Sequence, residues 1–392
     1  MKQKVIFVTK ALWIGGIESS LVNLLNAFNY EKYDVTLLIT KAELNLKDKI
    51  NKNVKLLIID REETYSFDNR YRFKSLYHLT EESSNPSFIH KLMMWSVPLI
   101  EFVENKLYIK YVKELMRDQV FDTAIIYSDV VGELTIKAIR AKKYLMYYHH
   151  GAMRHVYHDK IAYKKCQKII AVSNNQARLL KQFIPKYADK VVVIHNLVNV
   201  KSVIEKSKMP IKERFEKDKF NIVTVGRVSH EKGIDIAVRV CAKLVDNGYK
   251  NIQWWLVGDG PAMQEVKDVI KETHMENHIK LLGMKDNPYP YTRKADLYVQ
   301  PSRFESFGLT ILEALILNRI ILTTKTLGAT EVTKNNRKVF LAKCKIDSLV
   351  NELEYIIKNK SRIDSIPSEN IGEQSNINNI KALKKLEMYI GG

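Results

Sequence analysis

FNIVTVGRVSHEKGIDIAVRVCAKLVDNGYKNIQWWLVGDGP, residues 220–261, reads as one strand, one helix and a second strand. "FNIVTVG" and "IQWWLVGDG" are short, almost wholly apolar runs, the signature of parallel strands buried on both faces. Between them a helical pattern covers Ile234–Asn247. The same rhythm continues through "IKLLG", "ADLYVQPS", a helix after Gly308 and "IILTT". Upstream, Val5–Thr9, Asp34–Thr40, Thr123–Ser128, Tyr144–His150, Lys168–Ser173 and Val191–Asn196 read as further buried strands, with a helix over Glu18–Phe28. The expected fold class is therefore α/β, with two doubly wound parallel sheets in tandem and a cleft between them.

The chain has 392 residues, too many for one ordinary core, and 46% of them are hydrophobic, enough for two. The expected division is 1–198, 199–372 and a last amphipathic helix over 373–392 crossing back to the first domain, with "NKSRIDSIPSENIGEQSN" as an exposed crossing. Residues 62–120 break the strand rhythm and read as inserted helices with an apolar face and a lysine-rich face. Such helices either pack as a pair or lie on lipid.

Lys and Arg number 63 against 44 Asp and Glu, a formal net charge of +19. Residues 137–190 hold 13 of the basic residues and only Asp159 and Asp189 in opposition. That balance suits an anionic partner, although no nucleic-acid recognition motif accompanies it. Three cysteines, Cys166, Cys241 and Cys344, with no CxxC pair, fit a reducing compartment and neither a disulfide framework nor a metal knuckle. The start "MKQKVIFVTKALWIGG" is a first strand and not a secretory leader, and no apolar run is long enough to span a bilayer. The expected location is the cytoplasm, with attachment to the inner face of the membrane as an extension of that reading.

In an open α/β sheet the chemistry belongs to loops at the carboxyl ends of strands. One strand ends at Gly226; Arg227 and Lys232 then flank a short turn before a helix that begins near Gly233. Two cations beside helix N–H groups suit a phosphate or diphosphate. The Gly-Asp-Gly turn at 258–260 has Met263 where a dinucleotide fingerprint needs a third glycine, so a nicotinamide site is not expected. "FESFGLTILEAL", Phe304–Leu315, places Glu305 in a strand-to-helix loop beside the N–H groups of Ser306, Phe307 and Gly308. Glu313 follows on a helix whose neighbours Leu309, Ile316 and Leu317 are apolar. A carboxylate there is costly unless it has donors. Ligand hydroxyls such as a ribose diol are the expected donors, and an ion pair with Arg or Lys is the alternative. With the cationic loop nearby, the two carboxylates describe a pocket for a sugar nucleotide. In the first half, "HHGAM" (His149–Met153) ends a strand, and Gly15-Gly16 lets backbone approach a ligand.

"GRVSHEKG", "LVGDGP", "PSRFESFGLTILEAL" and "GATE", in that order, resemble the retaining glycosyltransferases of family four, which have the GT-B fold. The resemblance runs from "GGIES" to "EVTKN". It implies that Arg227 and Lys232, after Gly226, hold the donor diphosphate. It implies that Glu305, with backbone amides of Ser306, Phe307, Gly308 and Leu309, contacts the donor sugar, and that Glu313 binds the ribose hydroxyls. His150, before Gly151, would sit by the sugar, although the adjacent His149 leaves the choice open. Gly16 would line the phosphate region, and Met284 and Lys285 would meet the nucleobase. Where the family often has a Gly-Pro-Val turn, this chain has "ILNRIILTT".

The implied activity is transfer of a hexose with retention from a nucleoside-diphosphate sugar, UDP-linked by preference. The chain has no Asp-x-Asp, the usual diphosphate-metal signature, so no metal and no cofactor are expected. The expected acceptor is a lipid-linked or polymeric cell-envelope glycan, of capsule or teichoic type, reached at an anionic membrane surface. Two other classes compete: a sugar-nucleotide epimerase of the same fold, which would turn over donor without acceptor, and a non-catalytic subunit of a transferase.

Overall fold

The structure, a computed structural model, describes residues 1–59, 105–153, 156 and 159–391. Two parallel sheets organise it. The first contains β1 (Gln3–Thr9), β2 (Tyr33–Ile39), β3 (Lys55–Ile58), β4 (Val120–Ile126), β5 (Arg140–Tyr148), β6 (Lys168–Ala171) and β7 (Val191–Val193), in the order β3-β2-β1-β4-β5-β6-β7. The second contains β8 (Phe220–Val225), β9 (Ile252–Val257), β10 (Ile279–Gly283), β11 (Leu297–Gln300), β12 (Ile321–Thr324) and β13 (Val339–Ala342), in the order β10-β9-β8-β11-β12-β13. Each order runs outward from its first strand in both directions, the doubly wound pattern. By Cα packing the chain forms two compact units, one of Met1–Trp13, Asn29–Met146 and Asp159–Gln167, the other of Ile14–Phe28, Tyr147–His158 and Lys168–Gly392.

The sheets form because their strands are apolar on both faces. β8 and β9 pair in register from Phe220↔Ile252 to Val225↔Val257, and every β9 residue is buried. Alternation sends Ile222 and Trp254 into one core, with Val238, Cys241 and Leu244 of the helix Ile234–Asp246. Val223 and Trp255 go into the other core, with Ile311 and Ala314 of the helix Leu309–Ile316. Two successive tryptophans thus serve opposite faces. Each indole keeps a buried acceptor, Thr224 Oγ1 for Trp254 and Asn221 Oδ1 for Trp255, both at 3.0 Å.

Several elements depart from the sequence reading. β3 and β13 are short strands that were not expected; β3 is partly exposed and starts with a lysine, so it lacks the apolar signature. β5 stops at Tyr148, which releases His149 and His150 into the following loop. The last helix spans Ile371–Gly391 and so takes in residues read as an exposed crossing. It starts there because Asn370 Oδ1 accepts the amide of Glu373 at 3.1 Å while its Nδ2 donates to the Glu373 carboxylate at 2.7 Å. Within the second unit, Asn379 of this helix bonds both the amide and the carbonyl of Val198, at 3.1 and 2.7 Å, and Lys168 Nζ lies 5.7 Å from the Tyr389 ring. Of the helical insert expected over 62–120, residues 62–104 lie outside the described residues. Residues 105–115 are helical, burying Tyr108, Ile109 and Val112 and exposing Leu107, Tyr111 and Leu115.

At the carboxyl end of the second sheet the loops after β8 and β9 touch. Gly258 sits at φ 146°, and a Cβ built on it would lie 1.8 Å from Gly226 O. Gly258→Ala is therefore expected to destabilise the fold by at least ~2 kcal/mol, through backbone strain and displacement of the Gly226 loop. Urea unfolding checks this, with a lower midpoint and an unchanged slope as the expected result.

Candidate functional site

The residues singled out in the sequence all belong to the second packing unit. β8 and β11 are neighbours on opposite sides of the point where the strand order reverses, so their loops face a common crevice. After β8, Gly226 leads to the exposed Arg227, then to a short helical turn His230–Lys232, and Gly233 at φ 65° opens the helix Ile234–Asp246. After β11, Pro301 and Ser302 lead to Glu305, which is only 7% exposed.

These two loops are joined by charge. Lys232 Nζ donates to Glu305 Oε1 at 2.6 Å. Ser302 Oγ also reaches Oε1, at 3.0 Å, and is itself reached by Gln300 Nε2 at 2.9 Å. Tyr298 OH donates to Gln300 Oε1 at 2.9 Å, so a buried polar chain runs from the strand to the carboxylate. Alongside, Arg303 grips Asp235 with two bonds of 2.7 and 2.6 Å and donates to His230 O at 2.8 Å. Burial works against the Asp235 charge, yet the Arg303 hydrogen bonds hold its pKa below the ordinary value. The amides of Arg303 and Phe304 both donate to Glu231 O. Glu305 therefore has Lys232 and Ser302 as partners inside the protein.

Glu313 differs. It lies on the helix Leu309–Ile316, which Gly308 opens at φ 87°. The residue as a whole is only partly buried, but its carboxyl group is enclosed. Tyr289 OH donates to Oε1 at 3.1 Å, and neither Arg nor Lys pairs with it among the described residues. Burial pushes its pKa up to about 7, against the opposing effect of the Tyr289 hydrogen bond.

The first-half residues converge on the same loop. A Cβ on Gly151 would lie 3.2 Å from the backbone N and C of Glu305 and from Phe304 Cβ, so this close approach needs glycine. That places His150, partly exposed, next to the Glu305 loop, with its carbonyl accepting from Gln176 Nε2 at 2.8 Å. His149 is buried and stacked on Tyr147 with ring centroids 5.5 Å apart; burial, then His150, lowers its pKa to about 3. Of the two histidines, His150 is the more exposed. Gly16 starts the helix Gly16–Ala27, and Glu18 in its first turn is electrostatically coupled to Arg227. Burial pushes Glu18 to about 7, its own backbone hydrogen bond and Arg227 opposing.

Around the helix start, Ser306 O accepts from Ser173 Oγ at 2.8 Å, and buried Phe307 lies 5.8 Å from the His195 ring. At the end of β10, Met284 is 49% exposed. Lys285 is bound to Glu213 at 2.7 Å, and Tyr291 OH donates to the other Glu213 oxygen at 2.6 Å. These two donors, Lys285 first, hold Glu213 down at about 2. Ser302, Arg303, Asp235, Tyr289, Glu213 and Glu18 were not picked out from the sequence. Ser302 and Arg303 stand inside "PSRFE"; Ser302 meets its partners Gln300 and Glu305 close by in the chain, whereas Asp235, the partner of Arg303, is distant in the chain and carries no local signal.

The Glu313 environment sets a pH dependence. A carboxyl whose folded pKa lies above its unfolded value of 4.5 costs stability progressively as pH rises from about 4.5 to about 7, and by a constant amount above that. Glu313→Gln is expected to be more stable than the parent chain by about 2–3 kcal/mol at pH 8. Urea titrations across pH should show that difference shrinking to near zero by about pH 4.

The family model described as "Glycosyl transferases group 1" matches residues 205–375. An uncharacterized glycosyltransferase of Methanocaldococcus jannaschii is 25% identical over 168 residues, 42% of this chain and 41% of that protein. The GPI3 subunit of a phosphatidylinositol N-acetylglucosaminyltransferase of Saccharomyces cerevisiae is 29% identical over 157 residues, 38% of this chain and 34% of that one. The chain thus spans well under half the length of these curated relatives. Among solved structures, Anabaena HepE in complex with UDP and glucose superposes with a TM-score of 0.70 at 16% identity, covering 100% of both chains. Residues 205–375 match the glycosyl transferases group 1 model, and the fold is GT-B, with two Rossmann-like parallel sheets.

Proposed function

We propose that this protein is a retaining glycosyltransferase that moves a hexose from a nucleoside-diphosphate sugar, UDP-linked by preference, to a lipid-linked or polymeric cell-envelope glycan. The observation that carries this reading is the enclosed Glu313 carboxylate, which among the described residues has one hydroxyl donor and no cation. Ribose hydroxyls would supply the missing donors and favour its charged form. Arg227 and Lys232, one strand away, would take the diphosphate. Met284 and the Lys285 backbone, at the end of β10, would border the base. The HepE structure, solved with UDP and glucose, supports the donor class.

In the proposed reaction the bond between the anomeric carbon and the diphosphate oxygen breaks, and the acceptor oxygen forms its bond on the same face. The acceptor proton passes to the leaving diphosphate oxygen, so no separate protein base is needed. Arg227 and Lys232 neutralise the charge that grows on the diphosphate, the role a divalent cation plays elsewhere. Glu305 fixes the Lys232 ammonium through the 2.6 Å bond and presents its carboxylate edge to the sugar. His150 stands beside the same loop, where an imidazole can hydrogen-bond the sugar.

The basic run over 137–190 and the exposed apolar residues Leu107, Tyr111 and Leu115, interspersed with Lys106, Lys110 and Lys113, support an acceptor met at an anionic membrane surface. Attachment would be peripheral; no helix among the described residues is long and apolar enough to cross a membrane. The yeast relative is named for phosphatidylinositol, which supports a lipid-borne acceptor.

Arg227→Ala is expected to lower turnover about 10²–10³-fold with an unchanged thermal midpoint. The assay is a panel of UDP- and GDP-hexoses, with acceptor, in the presence and absence of EDTA. Retention predicts an α-linked product from an α-linked donor, read by NMR. Activity of the variant near the parent level overturns the assignment of Arg227, and product formed without acceptor points to epimerisation.

A further inference from the structure

The amino ends of the second sheet's strands hold a separate charged cavity of about 270 Å³. Asp296 lies there just before β11, Arg319 before β12 and Lys338 before β13. The loops of Arg227 and Glu305 are at the opposite, carboxyl ends of the strands. Lys294, Arg319, Lys338 and Lys360 line the cavity with Asp296 and Asp364, four cations against two anions, an excess of two positive charges.

The two carboxylates are engaged by one lysine. Lys360 Nζ lies 2.6 Å from Asp364 Oδ2 and 3.4 Å from Asp296 Oδ1. Asp296 Oδ2 also accepts the Asn221 amide at 2.9 Å. Among the described residues, Lys294, Arg319 and Lys338 make no ion pair within 4.0 Å. Lys338 is only 8% exposed, and its ammonium has a single amide acceptor, Asn318 Oδ1, at 3.4 Å. A buried ammonium satisfied by one distant amide is costly in a folded protein. Arg319 is fixed by three carbonyls: Nε donates to Leu317 O at 3.1 Å, and Nη1 to Arg293 O and Ala295 O at 3.1 and 3.2 Å. Its Nη2 makes no hydrogen bond among the described residues. Burial and then Arg293 lower the Arg319 pKa, with Asp364 and Asp296 opposing, so this guanidinium too is short of negative charge.

We propose that this cavity binds a phosphate group, with Arg319 and Lys338 as its main contacts and Lys294 at its exposed side. A phosphate dianion equals the charge excess of the lining, and its oxygens suit both a guanidinium edge and an ammonium. The volume holds inorganic phosphate or a small sugar phosphate. The inference does not depend on the donor-site reading, because it uses none of its residues.

Equilibrium dialysis tests it on the Arg227→Ala chain, in which one of the two donor-side cations is removed. Inorganic phosphate and glucose 1-phosphate are run as separate arms, with chloride at matched ionic strength. One bound phosphate per chain is expected, and the tighter of the two arms identifies the source of the group. Adding Lys338→Met should weaken binding about tenfold or more. Adding Lys294→Gln, at an exposed position, should weaken it by about a few-fold and covers the case in which Lys338→Met does not fold. Phosphate held no better than chloride overturns the proposal, as does full affinity in every folded variant.

Discussion

The contact between Lys232 and Glu305 is the constraint on which the candidate site depends. It joins the loop after β8 to the loop after β11 across the point where the strand order reverses. Arg303 and Asp235 make a second bridge between the same loops, and the amides of Arg303 and Phe304 a third, to Glu231 O. With three ties the cationic loop and the carboxylate loop form one rigid edge. In the proposed reaction a diphosphate beside Arg227 would meet an ammonium whose position is already fixed, so little ordering would remain on binding.

The two glutamates of the opening motif turn out to be different chemical objects. Glu305 is matched by a lysine and a hydroxyl and contributes to the architecture even without ligand. Among the described residues Glu313 has only Tyr289, and burial keeps its proton affinity high. The first organises the site; the second is the part of it that is incomplete. The same test, a buried charge short of partners, separates Lys338 from the ordinary surface lysines at the other end of the sheet. In both places the protein tolerates a charge whose partner its own side chains do not provide.

Much of this was legible in the chain. Strands such as "FNIVTV" and "IQWWLV" are buried on both faces and therefore uniformly apolar, and glycine punctuates the loops that approach one another. β3 and β13 were not legible, because each is an edge strand of only four residues, too short to show a pattern, and β3 opens on an exposed lysine. The start of the last helix was missed because Asn370 and Glu373 cap it within a stretch that looks polar and loop-like. Site residues were visible where the motif is local, as with Glu305 and Glu313. Partners supplied from far along the chain were not: Tyr289 is 24 residues from Glu313, and Asp235 is 68 from Arg303. The choice between His149 and His150 also needed the fold, since only the end of β5 decides which imidazole is buried.

The account rests on Glu313 being a carboxylate that a nucleotide completes. A ¹³C NMR titration of the Glu313 carboxyl, with and without UDP, addresses this directly. The account predicts titration near pH 7 in the free chain and a clear fall toward the ordinary carboxylate range when UDP binds. An unchanged titration under saturating UDP, or an ordinary value in the free chain, would contradict it.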